Sequence, residues 1–119
     1  MASNGARVTL IDVNRPALDA AVAALSKSGA EIHGASADVM DKAALAAAFA
    51  GIVARHGRLD VLFANAGISG GPGFLNGDGT RNPDAELEAL GLDFWERVIA
   101  TNLTSVFRFS RRFRRRCRR

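Results

Sequence analysis

Hydrophobic positions along the first half of the chain alternate between two rhythms. Arg7 to Ile11 (Arg-Val-Thr-Leu-Ile) is a short β-branched run ending at Asp12, and it predicts a strand. Asn14, with Pro16 just inside, marks a helix start. Leu18, Ala21, Val22 and Leu25 then return at helical spacing, and Gly29 offers a stop. Glu31 to Ser36 predicts a second strand that runs into Ala37, Asp38 and Val39. Asp41 can cap the next helix, whose stripe is Leu45, Ala48, Phe49, Ile52 and Val53, with Gly57 after its end. Leu59 to Ala64 predicts a third strand, followed by Asn65-Ala66-Gly67. Residues 68–84 are rich in Gly, Pro and Asn and predict a loop. A further helix begins near Asp93, with Trp95, Val98, Ile99, Asn102, Leu103 and Val106 as its stripe.

The order strand-helix-strand-helix-strand-loop-helix defines an α/β chain with parallel strands and right-handed crossovers. At 119 residues and 48% apolar, one domain with a modest core is expected. The uncharged helical stretch Ala43 to Ala54 is too short and too Ala-rich to predict a membrane span. No basic-then-apolar leader opens the chain, and the single Cys117 excludes a disulfide framework. These features predict a reducing, cytoplasmic setting with no membrane partner.

Charge divides the chain unevenly. The net charge is +4, yet Arg108 to Arg119 holds eight of the sixteen basic residues and no acid. Residues 1–107 therefore set 8 basic against 12 acidic residues, a balance of −4, and the tail carries +8. An Arg-rich tail can bind nucleic acid or an anionic surface through phosphate neutralisation. The same composition also arises when a GC-rich gene is read in a shifted frame. The acidic body argues against extending the nucleic-acid reading to the whole chain, and the Arg-dominated run favours a frameshifted or mis-called end over a dedicated binding tail, so nucleic acid is not the expected partner. Cys117 would then be an exposed, Arg-flanked thiol without a role.

Candidate chemistry lies where the predicted strands end. In an open parallel sheet, ligands bind beyond the carboxyl ends of the strands. Asp12, Asp38 and Asn65 each follow a predicted strand. An acid there can accept hydrogen bonds from both ribose hydroxyls of an adenosine and repel a 2′-phosphate. Each Asp alone could equally be a strand-end or helix-capping carboxylate; the three together point to a nucleotide site. Asn102 sits on the apolar stripe of its helix, where a buried amide must be hydrogen-bonded, as a core amide or as a functional one. His33 and His56 are far apart with no Cys near either, so no metal site is predicted. Gly67 to Gly73 lacks a P-loop Lys and any G-x-G-x-x-G, so it predicts a flexible loop rather than a phosphate cradle.

Asp12 after Val-Thr-Leu-Ile, Ala37-Asp38-Val39, Asn65-Ala66-Gly67, and Asn102 within Val-Ile-Ala-Thr-Asn-Leu resemble the short-chain dehydrogenase/reductase family in order and spacing. The resemblance covers residues 5–107. It implies a Rossmann-like doubly wound parallel sheet over residues 1–107, and hydride transfer between a nicotinamide cofactor and an alcohol or carbonyl substrate. By position, Asp12 would select NAD over NADP, although the nearby Arg15 could accept a 2′-phosphate. Asp38 and Val39 would hold the adenine, and Asn65, Ala66 and Gly67 would line the cofactor groove. Asn102 would be the catalytic-tetrad Asn that supports a water-mediated proton relay. Homo-oligomers through the helix spanning residues 93–107 are implied as well.

Departures from the family pattern are as informative as the matches. The Gly-rich phosphate turn lies about 20 residues before the ribose-binding acid. Only eleven residues precede Asp12 here, and Gly5 is the only glycine among them. The family's Ser and Tyr-x-x-x-Lys are not found, and the sequence holds no tyrosine at all. A partial Rossmann sheet is therefore expected, without its first strand, glycine loop and C-terminal strands, and inactive by itself. The family places that first strand between the strand ending at Asp12 and the one ending at Asn65. Those two must then pair directly or leave an open edge. The remaining alternatives are an Arg-tailed binding module and a non-catalytic subunit pairing with a full-length relative.

Overall fold

Local signals set the first βαβα stretch. The computed structural model describes residues 1–116, so Cys117 and what was expected of it lie outside the described residues. Strand β1 (Val8–Asp12) leads to helix α1 (Arg15–Ser26), then strand β2 (Ile32–Ser36) and helix α2 (Lys42–His56). Asn14 caps α1 by accepting the Ala17 N–H at 3.1 Å. Asp41 caps α2 by accepting the N–H groups of Ala43 and Ala44 at 2.7 and 3.1 Å. Gly57 ends α2 at φ 75°, a left-handed turn whose N–H reaches the Val53 carbonyl at 2.8 Å.

β1 and β2 pair in parallel, in a register that runs from Val8 opposite Ile32 to Asp12 opposite Ser36. Successive strand residues face opposite sides of a sheet, and helices use both sides here. A Cβ at Gly34 would meet Leu18 and Val22 of α1 at 3.2 Å, so the glycine lets α1 lie close on β2. His33, one residue earlier, turns the other way, toward the C-terminal end of α2. Leu18, Ile32, Ala37, Val39, Leu45, Phe49 and Ile52 are buried as the core of this first unit, with Phe49 at 1% exposure.

The predicted third strand does not form. Among the described residues the sheet has two strands, and Leu59 to Ala64 is not one of them. The segment has strand composition, but a strand exists only through a ladder, and this segment does not join one. Val61 and Phe63 stay largely exposed. Of the two expected outcomes, the open edge is the one found.

The described backbone divides into two units, Met1–Phe63 with residues 111–116, and Ala64–Ser110. In the second unit, the predicted loop over residues 68–84 carries more order than its composition suggests. Leu75 bridges Arg81 in antiparallel fashion, and the Asn76 N–H reaches the Thr80 carbonyl at 2.8 Å. Hydrogen bonds from the Thr80 hydroxyl and amide hold the Asp78 carboxyl below the usual carboxylate range. Two short 3₁₀ turns, Pro83–Ala85 and Leu87–Ala89, lead into helix α3 (Leu92–Ile99). A π-helical turn, Ala100–Thr104, joins α3 to helix α4 (Ser105–Arg116). The helix thus starts one residue before Asp93 and continues past residue 107 into the Arg-rich segment. No helix among the described residues is long and apolar enough to cross a membrane.

Close packing at Gly34 gives a direct test. Gly34→Val inserts carbon against Leu18 and Val22, and overpacking of this kind costs about 1–3 kcal/mol. The urea midpoint should fall without a change in slope.

Candidate nucleotide-binding site

The carboxyl ends of β1 and β2 are tied together. The Ala37 N–H donates to the Asp12 carbonyl at 3.1 Å, which extends the ladder one step past the strands. Asp12 and Asp38 therefore leave the sheet at the same edge, and both are exposed. Each carboxylate is aimed by a single backbone amide two residues on. Asp12 Oδ1 accepts the Asn14 N–H, and Asp38 Oδ1 accepts the Met40 N–H, both at 2.8 Å. These are Asx turns, which fix the side chain against its own backbone. The hydrogen bonds that close the two turns use one oxygen of each carboxylate, Oδ1. Ala37 and Val39 flank Asp38 and are buried, so their packing anchors the turn that presents it.

Arg15 points away from any role at this edge. Its Nε–H donates to both carboxyl oxygens of Asp19, at 2.9 and 2.8 Å, one turn along α1. That pairing raises the basicity of the guanidinium, the hydrogen bond contributing first and the charge second.

In the second unit, Asn65, Ala66 and Gly67 are exposed. Because the preceding segment is not a strand, Asn65 follows an extended run rather than a strand end. The element that organises this stretch is Asn102. Its Oδ1 accepts the Ile68 N–H and its Nδ2–H donates to the Ile68 carbonyl, both at 2.8 Å. The amide side chain thus takes the place of a neighbouring strand for one residue. A Cβ at Gly67 would lie 3.0 Å from Asn102 Oδ1, so a larger residue there would press on the clamp. Asn102 is exposed rather than buried, which corrects the expectation drawn from its apolar stripe. The reason is the π turn on which it sits. An extra residue in that turn shifts the face set by the preceding helix, and Leu103 is left 64% exposed as well. One turn on, the buried Ser105 hydroxyl donates to the Thr101 carbonyl.

His33 and His56 are not far apart, contrary to expectation. Their ring centroids lie 5.4 Å from one another, and Glu31 joins them. The Glu31 carboxyl is held below the usual range, first by its hydrogen bond with His33 and further by His56 and Arg7. A crossover through α2 returns the end of that helix to the start of β2, which residue spacing alone does not show.

An α/β chain with parallel strands, helices on both faces and acids at the carboxyl edge defines the Rossmann class. The sequence model of the short chain dehydrogenase family matches residues 1–117. The chain belongs to the short-chain dehydrogenase/reductase family. Levodione reductase of Leifsonia aquatica is 34% identical over 109 residues, which is 90% of this chain and 36% of that one. Among solved structures, an NAD+-bound xylitol dehydrogenase superposes with a TM-score of 0.82 at 28% identity, covering 97% of this chain and 40% of that one. An actinorhodin polyketide ketoreductase with NADPH gives 0.80 at 29% identity, covering 94% and 38%. The chain thus spans well under half the length of the relatives it matches.

The Asn102 clamp carries a measurable load. Losing two neutral hydrogen bonds costs about 1–3 kcal/mol. In Asn102→Ala, the Ile68 amide should exchange with solvent about tenfold faster or more, while amides of β1 and β2 keep their rates. An unchanged Ile68 rate would show that the clamp holds nothing in place.

Proposed function

We propose that the chain is the adenosine-binding portion of an NAD(P)-dependent oxidoreductase that moves hydride between a nicotinamide cofactor and an alcohol or carbonyl compound. The observation that carries this is the joined edge of β1 and β2, where Asp12 and Asp38 are both exposed and each is aimed by a backbone amide. The fit to such a cofactor covers its adenosine end. Asp12 suits the ribose hydroxyls, and Asp38 with Val39 suits the adenine. Eleven residues precede Asp12, with Gly5 their only glycine, so no pyrophosphate cradle lies among them.

NAD is the proposed cofactor rather than NADP. A carboxylate at Asp12 repels a 2′-phosphate, and Arg15 is engaged with Asp19 instead of standing free to counter that repulsion. The nicotinamide, when bound, supplies the hydride chemistry. Asn65, Ala66 and Gly67 are proposed to line the cofactor groove. Asn102 is proposed as the catalytic-tetrad Asn of this family. With both ends of its amide on Ile68, it acts in the free chain by fixing the backbone after Gly67. Its π turn weakens the regular carbonyl ladder at that point, a common feature of functional sites. Proton transfer to or from the substrate needs a positioned acid, and no tyrosine exists among these 119 residues to serve as one. The chain by itself is therefore proposed to bind but not to turn over. Leu92, Trp95, Leu103 and Phe107 are exposed along the helical run after Gly91, and this is the face proposed for pairing with a second copy.

Titration of the purified chain with NADH by fluorescence or calorimetry tests the assignment. Saturable binding is expected, weaker for NADPH, and reduced about tenfold or more in Asp12→Ala, as loss of hydrogen bonds from a charged acceptor costs about 1.5–3 kcal/mol. No oxidation of NADH should accompany binding. Affinity unmoved by Asp12→Ala and Asp38→Ala would remove both residues from the site.

A further inference from the structure

We propose that Glu31, His33 and His56 form a site for a divalent transition metal of the Zn2+ class. The site lies at the amino end of β2, the opposite end of the strand from Asp38, and does not depend on the nucleotide reading. Each residue offers one ligand atom, and the three atoms lie within 4.8 Å of one another. Glu31 Oε1 is 3.2 Å from His33 Nε2 and 3.5 Å from His56 Nδ1. In a tetrahedral zinc site with bonds of about 2.0–2.2 Å, neighbouring ligand atoms stand roughly 3.3 Å apart. Two of the three separations already match that spacing.

His56 separates this arrangement from an ordinary surface ion pair. Its side chain is 6% exposed, and neither ring nitrogen has a hydrogen-bond partner among the described residues. Burying two unanswered imidazole nitrogens is costly, and 3.5 Å is too long for Glu31 to satisfy one fully. A metal on Nδ1 answers that nitrogen. His56 is also the last residue of α2, where the helix dipole places partial negative charge and favours a cation. Glu31 is exposed, which leaves an entry path and room for water in the fourth position. Two imidazoles and a carboxylate suit Zn2+ and its neighbours in the first transition row and not Mg2+ or Ca2+, which prefer all-oxygen sets. The bound ion would clip the end of α2 to the start of β2. Thr9, the register partner of His33, carries a further buried hydroxyl without a partner.

The probe is Zn2+ alone, added to the full 119-residue chain in competition with a chromophoric chelator. About one equivalent should bind, and Cys117→Ser should leave that binding unchanged. X-ray absorption of the loaded protein should show nitrogen and oxygen scatterers, two of them imidazole, at about 2.0–2.2 Å. His33→Ala and Glu31→Gln lie at the more exposed positions and should each weaken binding about tenfold or more. His56→Gln should do the same, with circular dichroism recording whether the fold persists. Absorption measured on the unaltered chain remains decisive if a variant does not fold. No binding, sulfur in the coordination shell, or affinity indifferent to His33→Ala overturns the site.

Discussion

Parallel pairing of β1 with β2 is the constraint on which the first unit depends. With Val8 opposite Ile32 and Asp12 opposite Ser36, the two strands end together, and the Ala37 amide closes the ladder on the Asp12 carbonyl. That single bond sets Asp12 and Asp38 at one edge. The same register decides which side chains face which helix. Gly34 admits α1 on one side, and His33 meets the end of α2 on the other. A slip of one residue would exchange these faces. It would drive a histidine against Leu18 and separate the acids, so edge chemistry and packing stand or fall together.

Much of this was legible in the sequence because it is encoded locally. Asn14, Asp41 and Gly57 act where their types and positions indicate, since a cap is a contact between residues two to four apart. The first two strands and the family resemblance were legible for a related reason, as each motif is a short ordered step. Contacts that the chain makes with itself at a distance were not. Leu59 to Ala64 has the composition of a strand yet lacks a partner ladder, a property of the whole sheet rather than of six residues. The approach of His33 to His56 depends on how a crossover returns. Asn102 does not lie where its stripe position suggested. Its stripe position implied burial, but the π turn brings it to the surface and onto Ile68.

The composition takes on a different meaning beside the fold. An acidic body carries the two carboxylates of the edge, while the basic charge is concentrated after residue 107. The helix crosses that boundary without a break and the family match runs on to residue 117. The Arg-rich segment therefore shares a helix with the residues before it. The chain spans under half of its relatives' length, and the binding proposed for it concerns the adenosine end of a dinucleotide alone.

The central claim is that a nucleotide is received at the joined carboxyl ends of β1 and β2. Amide chemical-shift mapping by NMR during titration with NAD+ tests this most directly. The account predicts the largest, saturable shifts at residues 12–15 and 37–40, with the amino ends of both strands unmoved. Shifts centred elsewhere, or none at saturating nucleotide, would contradict it.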